Sequence, residues 1–192
     1  MIVAISGPVG VGKSALVRKL AESTGLAIPT DCLENAFREH FLADPARWGF
    51  QYLQAHLTRH FERWLQVRER SLSGQGFLFD GFLHEESRYI HAVANSAPLS
   101  NRERDCLTTA FDAYVQVVPK PDLVVSLSVP RYRLLARRDG RVHERRLGPG
   151  YLDLLDNSYD AWIDAHADSM NVRRVDWTDF GNFNAVVQAI VP

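Results

Sequence analysis

The feature that most constrains the fold is the stretch GPVGVGKS at residues 7–14. An apolar run at residues 2–6 precedes it and predicts a buried parallel strand. After it, apolar residues recur with the spacing of a helix that starts near Lys13 and stops at Gly25. A strand, a G-x-x-x-x-G-K-S loop and a helix in this order are the context of a phosphate-binding loop. The strand and the helix argue against the alternative, an ordinary glycine turn.

Each residue type in the loop has a physical purpose. Glycines let consecutive backbone N–H groups turn towards an anion, and the start of the helix adds its positive dipole end. Lys13 reaches the outer phosphates, and Ser14 offers a hydroxyl to Mg²⁺. The sequence therefore predicts that a nucleotide is held by Gly7, Pro8, Val9, Gly10, Val11, Gly12, Lys13, Ser14 and Ala15.

Predicted strands and helices alternate along the whole chain. The strand candidates are residues 2–6, 26–28, 77–80, 123–129 and 172–177. Alternation of this kind predicts an α/β fold with three layers, in which a five-stranded parallel sheet has helices on both faces. Ligands of such sheets bind at the carboxyl ends of the strands. We therefore expect one edge of the sheet to collect Ser6, Asp31, Asp80 and Ser128.

Helix-start signals divide the segments between the strands. Residues 31–42 are predicted to be helical, and Asp44-Pro45 is predicted to cap and open a long helix that runs to about Ser71. Ser100 and Glu103 form a capping box for a later helix. These signals indicate a helical region between the second and third predicted strands.

Length and composition limit the classes of protein that this chain can be. A chain of 192 residues fits one domain, residues 1–192, with a core of its own. A net charge of -1 argues against a globally basic nucleic-acid binder. Cys32 and Cys106 lack metal-ligand spacing and indicate reduced thiols in a cytoplasmic protein. No apolar run reaches the roughly 20 residues of a membrane span, so no membrane partner is expected.

Asp80 is the natural partner of the glycine loop. It ends the apolar strand FLFD, which should lie beside the first strand. A carboxylate there can ligate Mg²⁺ or take part in acid–base chemistry. The sequence therefore predicts Asp80 as a metal ligand, together with Ser14, and as a catalytic residue. The alternative is a helix N-cap for the segment that follows.

Residues 130–146 carry seven arginines and two acids. The stretch follows the fourth strand at the ligand edge, and Asp139-Gly140 breaks it. Because mobile guanidinium groups can close over a triphosphate, we predict a lid at about residues 137–149. Arg137 and Arg141 are predicted to be catalytic together with Lys13, and Arg138 to bind the nucleotide. The alternative is a solvated helix end.

Three further stretches carry a resemblance to a known family. ENAFREHFLADPARWGFQYL, at residues 34–53, is similar to the segment after the second strand of deoxynucleoside kinases. PDLVVSLSV with RRDGRVHE resembles the family's fourth strand and arginine lid, and VDWTDF resembles its last strand and adenine loop. The resemblance implies an ATP-dependent kinase that transfers the γ-phosphate to a hydroxyl of a deoxynucleoside or modified nucleoside. It also implies that Asp179 and Phe180 lie near the adenine and that the chain forms a homodimer.

The departures from the family pattern fall in the acceptor half. Where the family has a glutamate that takes the proton from the acceptor hydroxyl, this chain has Thr30, with Asp31 beside it. Asp31 is therefore predicted as the general base. The family's acid-Arg-Ser after the third strand is replaced by Asp80-Gly81-Phe82, and its base-reading glutamine falls at Leu53. The residues predicted to bind the acceptor are Trp48, Gln51, Gln54, Phe82 and Glu86.

Three alternative functions are compatible with the same residues. The DGF stretch at residues 80–82 is similar to nucleoside monophosphate kinases, which makes a nucleotide acceptor possible. A hydroxymethylated pyrimidine, free or within DNA, is another option. A DNA acceptor requires a basic groove, for which the long helix offers Arg59, Arg63, Arg68 and Arg70; the alternative for these arginines is a solvated helix face. A pseudokinase that binds nucleotide without turnover is the last, and the intact Lys13, Ser14 and Asp80 argue against it.

Overall fold

Four parallel strands form the central sheet in a computed structural model that describes residues 1–30, 35–71, 74–139, 149–180 and 182–190. The strand order is β2-β1-β3-β4. Ile5 of β1 pairs with Asp80 of β2, and Ser6 pairs with Ser126 of β3. The bounds are β1 Ile2–Ser6, β2 Phe77–Asp80, β3 Leu123–Ser128 and β4 Val172–Asp176.

Eight helices are found in the described part of the chain. A 3₁₀ turn at Leu83–Glu85 leads from β2 into the fourth helix. The helix bounds are α1 Lys13–Thr24, α2 Arg38–Ala43, α3 Pro45–Ser71, α4 Glu86–Ser96, α5 Asn101–Val117, α6 Arg131–Asp139, α7 Pro149–His166 and α8 Phe183–Ile190.

The prediction of five strands is wrong for the described residues. The segment predicted as the second strand forms a single bridge, Ala27 with Phe77, beyond the outer edge of β2. Two hydrogen bonds hold it, from Ala27 N to Gly76 O and from Leu78 N to Ala27 O. The segment lies between Gly25 and Pro29, and a proline donates no backbone hydrogen bond. The pairing therefore remains too short for a strand.

The helix predicted at 31–42 is also shorter than expected. Residues 31–34 lie outside the described residues, and the Asn35 side chain closes a turn by accepting from Phe37 N at 3.1 Å. Asparagine competes with helix formation in this way, which explains why α2 begins only at Arg38. The cap of α3 is confirmed, since Asp44 Oδ1 accepts from Arg47 N at 3.2 Å. The capping box of Ser100 and Glu103 is confirmed too.

Helices cover both faces of the sheet, as the alternation predicts. Alternate residues of each strand face opposite sides, so Val3 and Ile5 pack with α1 and α8 while Ala4 packs with α3 and α7. A third hydrophobic cluster packs α2, α3, α4, α5 and α7 against one another. No helix in the described ranges is long and apolar enough to cross a membrane.

Candidate active site

The glycine loop has the backbone geometry of an anion cradle. Gly10 and Gly12 have φ angles of 85° and 105°, which residues with a Cβ rarely adopt. A Cβ on Gly12 would lie 3.1 Å from Cε1 of Phe180. The loop passes directly into α1, because Leu16 N donates to Gly12 O at 3.1 Å. Residues 7–13 of the loop are buried or half-buried. Ser14 and Ala15, at the start of α1, are exposed.

Lys13 folds back over the loop. Its Nζ donates to Gly7 O at 2.8 Å and to Pro8 O at 3.1 Å. Burial lowers the pKa of the ammonium, although the carboxylates of Asp80 and Glu85 oppose this shift. A phosphate oxygen would be a stronger partner than either carbonyl, because it carries a negative charge that attracts the ammonium.

Ser14, Thr30 and Asp80 line one cavity of about 410 Å³. Arg63 lines it as well and donates to Asp80 O at 3.4 Å. Parallel pairing with β1 carries Asp80 to the edge where the glycine loop begins. A hydroxyl and a carboxylate are hard oxygen donors, so this pair fits Mg²⁺ and the predicted magnesium ligands share one space.

The two described arginines of the predicted lid are bound to backbone carbonyls. Arg137 donates to Val11 O at 3.2 Å and to Trp177 O at 2.9 Å. Arg138 is 4% exposed, donates to Val9 O at 2.8 Å and forms a two-pronged ion pair with Asp156. Both side chains therefore hold the glycine loop in place. Arg141 and the rest of the lid, residues 140–148, lie outside the described residues.

Phe180 stands over the start of α1. It has a φ of 52°, a strained value for a non-glycine residue, and its ring is 55% exposed. The guanidinium of Arg137 lies 3.8 Å from the ring centroid, and Trp177 meets the ring edge-on. Asp179 is exposed and pairs with Arg133 at 3.5 Å. Of the two residues that the resemblance assigns to the adenine region, Phe180 thus borders the glycine loop, and Asp179 precedes it in the chain.

A buried polar cluster lies directly beneath the loop. Ser6, the last residue of β1, donates its hydroxyl to Oε2 of Glu85. Burial raises the pKa of Glu85, and Arg88, at 3.8 Å from its Oε1, opposes that shift. The Arg88 guanidinium lies 5.0 Å from the centroid of Tyr159, whose hydroxyl is 2.8 Å from that of Ser126. The cluster joins the carboxyl-terminal halves of β1 and β3 to α4 and α7.

A second buried cluster joins α3 to the start of α4. Nε2 of His56 lies 2.8 Å from Oε2 of Glu86, and Nε2 of His60 lies 3.2 Å from Oε1. An ionised carboxylate only accepts, so both rings donate to it. Burial lowers the pKa of His60 to about 3, although Glu86 opposes the shift. Burial alone would raise the pKa of Glu86, but the two histidines hold it well below its usual range.

This cluster predicts acid sensitivity of the fold. Between about pH 6.5 and 3, His60 is neutral when folded and protonated when unfolded, so the unfolded chain binds more protons and stability falls as the pH falls. Glu86 adds a loss in the same direction below about pH 4.5, because its carboxylate is protonated in the unfolded chain while it is still ionised in the folded chain. One such proton changes the free energy of unfolding by about 1.4 kcal/mol per pH unit. His60→Gln should flatten this dependence in urea unfolding between pH 6.5 and 4.

His91→Gln is the matched control, because His91 is exposed on α4 and outside the cluster. It should leave the pH dependence as in the unaltered protein. An equally steep loss of stability in His60→Gln would contradict the assigned role of His60.

The other residues predicted to bind the acceptor are distributed over three places. Gln51 and Gln54 line a cavity of about 390 Å³, and their Oε1 atoms are buried without a hydrogen-bond partner among the described residues. Trp48 stacks on His40 with ring centroids 4.7 Å apart. Phe82 is 4% exposed and packs edge-on against a tryptophan of α7. A substrate contact by each of these residues stays a prediction, and Asp31 lies outside the described residues.

His60 and Arg88 are not among the residues predicted from the sequence. The interval of four residues between His56 and His60 on a predicted helix was an available signal for the first, because such residues share a helix face. Arg88 follows Glu85 by three residues, which also places the two side chains on adjacent turns. Neither signal identifies the partner on another element.

A comparison with family models matches residues 3–191 to the deoxynucleoside kinase family. A deoxyadenosine kinase of Dictyostelium discoideum is 27% identical over 193 residues, which cover 98% of this chain and 77% of that protein. A deoxyadenosine/deoxycytidine kinase of Bacillus subtilis is 28% identical over 170 residues, with 84% and 76% covered. Neither name mentions a nucleotide or DNA acceptor, so these alternatives gain no support.

Solved structures agree on the fold. Deoxyadenosine kinase from M. mycoides with bound dATP superimposes with a TM-score of 0.84 at 19% identity, over 100% of both chains. The same enzyme with products dCMP and dCDP gives a TM-score of 0.81 at 22% identity, over 99% of this chain and 96% of that one. The predicted α/β class with a parallel sheet is thus confirmed.

The match extends far beyond the glycine loop, which many unrelated nucleotide-binding proteins share. The family model begins in β1 and ends at the last residues of the chain, so it includes both buried clusters. The prediction of a phosphotransferase is confirmed with it. The chain belongs to the deoxynucleoside kinase family.

Proposed function

We propose that the chain transfers the γ-phosphoryl group of ATP to a hydroxyl of a deoxynucleoside or a modified nucleoside. The observation that carries this proposal is the glycine loop with Lys13 at the carboxyl edge of the sheet, in a chain whose match to the family spans residues 3–191. The relatives are named for deoxyadenosine, deoxycytidine and deoxyguanosine, which supports a deoxynucleoside as the acceptor.

The transfer is a substitution at phosphorus. A bond forms between the acceptor oxygen and the γ-phosphorus, and the bond from that phosphorus to the β–γ bridging oxygen breaks, so ADP leaves. The proton of the acceptor hydroxyl goes to a carboxylate, for which Asp31 is the predicted residue. Loop amides and Lys13 stabilise the negative charge on the phosphate oxygens. Mg²⁺, when held by Ser14 and Asp80, would neutralise further charge on the β- and γ-phosphates.

The donor base has a candidate position beside Phe180. The ring is exposed, Arg137 already stacks on it at 3.8 Å, and both residues border the glycine loop. Flat cationic and aromatic groups are the surfaces on which a purine stacks. These contacts support adenine binding at Phe180, with Asp179 beside it on the same loop.

The acceptor has a candidate position between α3 and α4. There the Glu86 carboxylate is buried but already accepts from His56 and His60, so it is held in a fixed orientation. Tyr52 and Tyr89 extend the polar surface, with their hydroxyls 2.7 Å apart. A buried carboxylate flanked by aromatic rings can discriminate among bases by hydrogen bonding. This supports Glu86 as a residue that selects the acceptor.

The experiment is an acceptor screen with ATP and Mg²⁺. Purified protein is incubated with the deoxynucleosides, ribonucleosides, their monophosphates and DNA containing hydroxymethylated pyrimidines, and products are identified by mass. We expect a monophosphate of at least one deoxynucleoside or modified nucleoside. Product only from a monophosphate or from DNA would overturn the proposal. Stabilisation by ATP without any product would indicate a pseudokinase instead.

A further inference from the structure

The buried cluster beneath the glycine loop contains a cation that the reaction described above does not use. Arg88 extends from the first turns of α4, and its side chain is 10% exposed. Its nearest carboxylate oxygen, Oε1 of Glu85, is 3.8 Å from Nη2, which is beyond hydrogen-bond distance. Its Nε is buried and has no hydrogen-bond partner among the residues described. A buried guanidinium with an unused donor is costly unless a ligand completes its contacts.

The backbone after Asp80 leaves no room for a side chain, so α4 supplies the buried cation of this cluster, Arg88. Gly81 follows Asp80 with a φ of 71°, and a Cβ on it would lie 3.0 Å from Oε1 of Glu85. A side chain is therefore strained and crowded at that position. The Glu85 carboxylate occupies the space instead and pairs there with Arg88.

The position of Arg88 relative to the loop follows from its neighbours. Glu85 holds the hydroxyl of Ser6, the residue immediately before the glycine loop. One residue, Glu85, therefore contacts both the strand end that leads into the loop and the guanidinium of Arg88. An anion bound by the loop would attract this guanidinium. The Tyr159 ring holds the guanidinium plane from the α7 side, at 5.0 Å.

We propose that Arg88 is a catalytic residue whose guanidinium binds the non-bridging oxygens of the phosphoryl group during transfer, and that Glu85 positions it. This inference rests on the proposed function and adds to it a second cation besides Lys13. Guanidinium groups suit the task because their N–H donors match two phosphate oxygens at once. The interaction strengthens as charge develops on those oxygens, so it acts on the turnover rate.

The test is Arg88→Ala, assayed with ATP and the best deoxynucleoside of the acceptor screen. We expect kcat to fall about 10²-fold, with KM for ATP changed by less than about threefold. Added guanidinium ions should restore part of kcat, because they can occupy the vacated space. A purely structural arginine would lower the melting temperature but would give no such rescue. Near-normal kcat, or a loss that guanidinium does not reduce, would overturn the inference.

Arg88→Lys keeps the test decisive if the alanine variant does not fold. Lysine retains a positive charge beside Glu85 but lacks the planar set of N–H donors that binds two phosphate oxygens at once. We therefore expect an unchanged melting temperature and a kcat at least about tenfold lower. Normal kcat in this variant would refute the assignment.

The matched control is Arg104→Ala. Arg104 is a partly buried arginine of α5 that donates to Ala94 O at 2.6 Å, and it should affect melting temperature but not kcat. If the unaltered protein phosphorylates no nucleoside, the proposed function fails. If it is active and Arg88→Ala is equally active, only the role of Arg88 fails.

Discussion

Replacement of Lys13 by alanine should reduce turnover by about 10³-fold or more. Its ammonium is the one described cation whose contacts are all within the glycine loop, to Gly7 O and Pro8 O. On nucleotide binding these two hydrogen bonds can be exchanged for stronger ones to the outer phosphates, and they strengthen again as charge builds up in the transition state. The variant should also bind ATP more weakly. ADP release with the best acceptor of the screen, and calorimetric titration with ATP, measure the two effects.

Lys19→Ala is the matched control for this variant. Lys19 is an exposed lysine of the same helix, and its ammonium lies 4.2 Å from the ring centroid of Phe183, away from the loop. It should retain nearly full turnover and ATP affinity. If Lys13→Ala turned over as fast as Lys19→Ala, the assignment of the loop as the phosphate site of a kinase would be wrong.

Replacement of Asp31 by asparagine should reduce kcat by about 10²- to 10⁴-fold while ATP affinity stays unchanged. Asparagine has nearly the same shape as aspartate but cannot accept the proton of the acceptor hydroxyl at neutral pH. Asp31 lies outside the described residues, and the prediction depends on its position one residue after Thr30. Single-turnover measurements with saturating ATP separate the chemical step from binding.

Asp112→Asn removes an exposed carboxylate from α5 and serves as the control, with no change in turnover expected. Full activity of Asp31→Asn would show that another group takes the proton. Glu85, the buried carboxylate that holds the Ser6 hydroxyl, is then the one to test, by replacing it with glutamine.

Local signals in the sequence predicted most of the fold, since they depend on neighbouring residues alone. The glycine loop, the cap at Asp44 and the capping box at Ser100 each specify a helix start without reference to the rest of the chain. The short segment at 26–28 carries no such local signal. Its assignment depends on how far it pairs with β2, and the structure limits that pairing to Ala27.

The residues of the candidate site were predictable only where they belong to one continuous segment of the chain. Lys13 and Ser14 belong to the loop itself, whereas the partners of Glu86 come from α3 and are brought to it by helix packing. Burial also changes the protonation state of a side chain. His60 is a neutral donor in this environment, which cannot be predicted from its being a histidine. The same limit applies to Arg88, whose environment is assembled from three elements.

The carbonyls of Val9 and Val11 are held by two consecutive arginines of α6, Arg138 and Arg137. The loop is therefore preorganised: the conformational entropy of ordering it is lost when the chain folds and not when a nucleotide arrives. Capture of the nucleotide can then proceed at a rate set by diffusion and orientation, because no rearrangement of this backbone has to precede it.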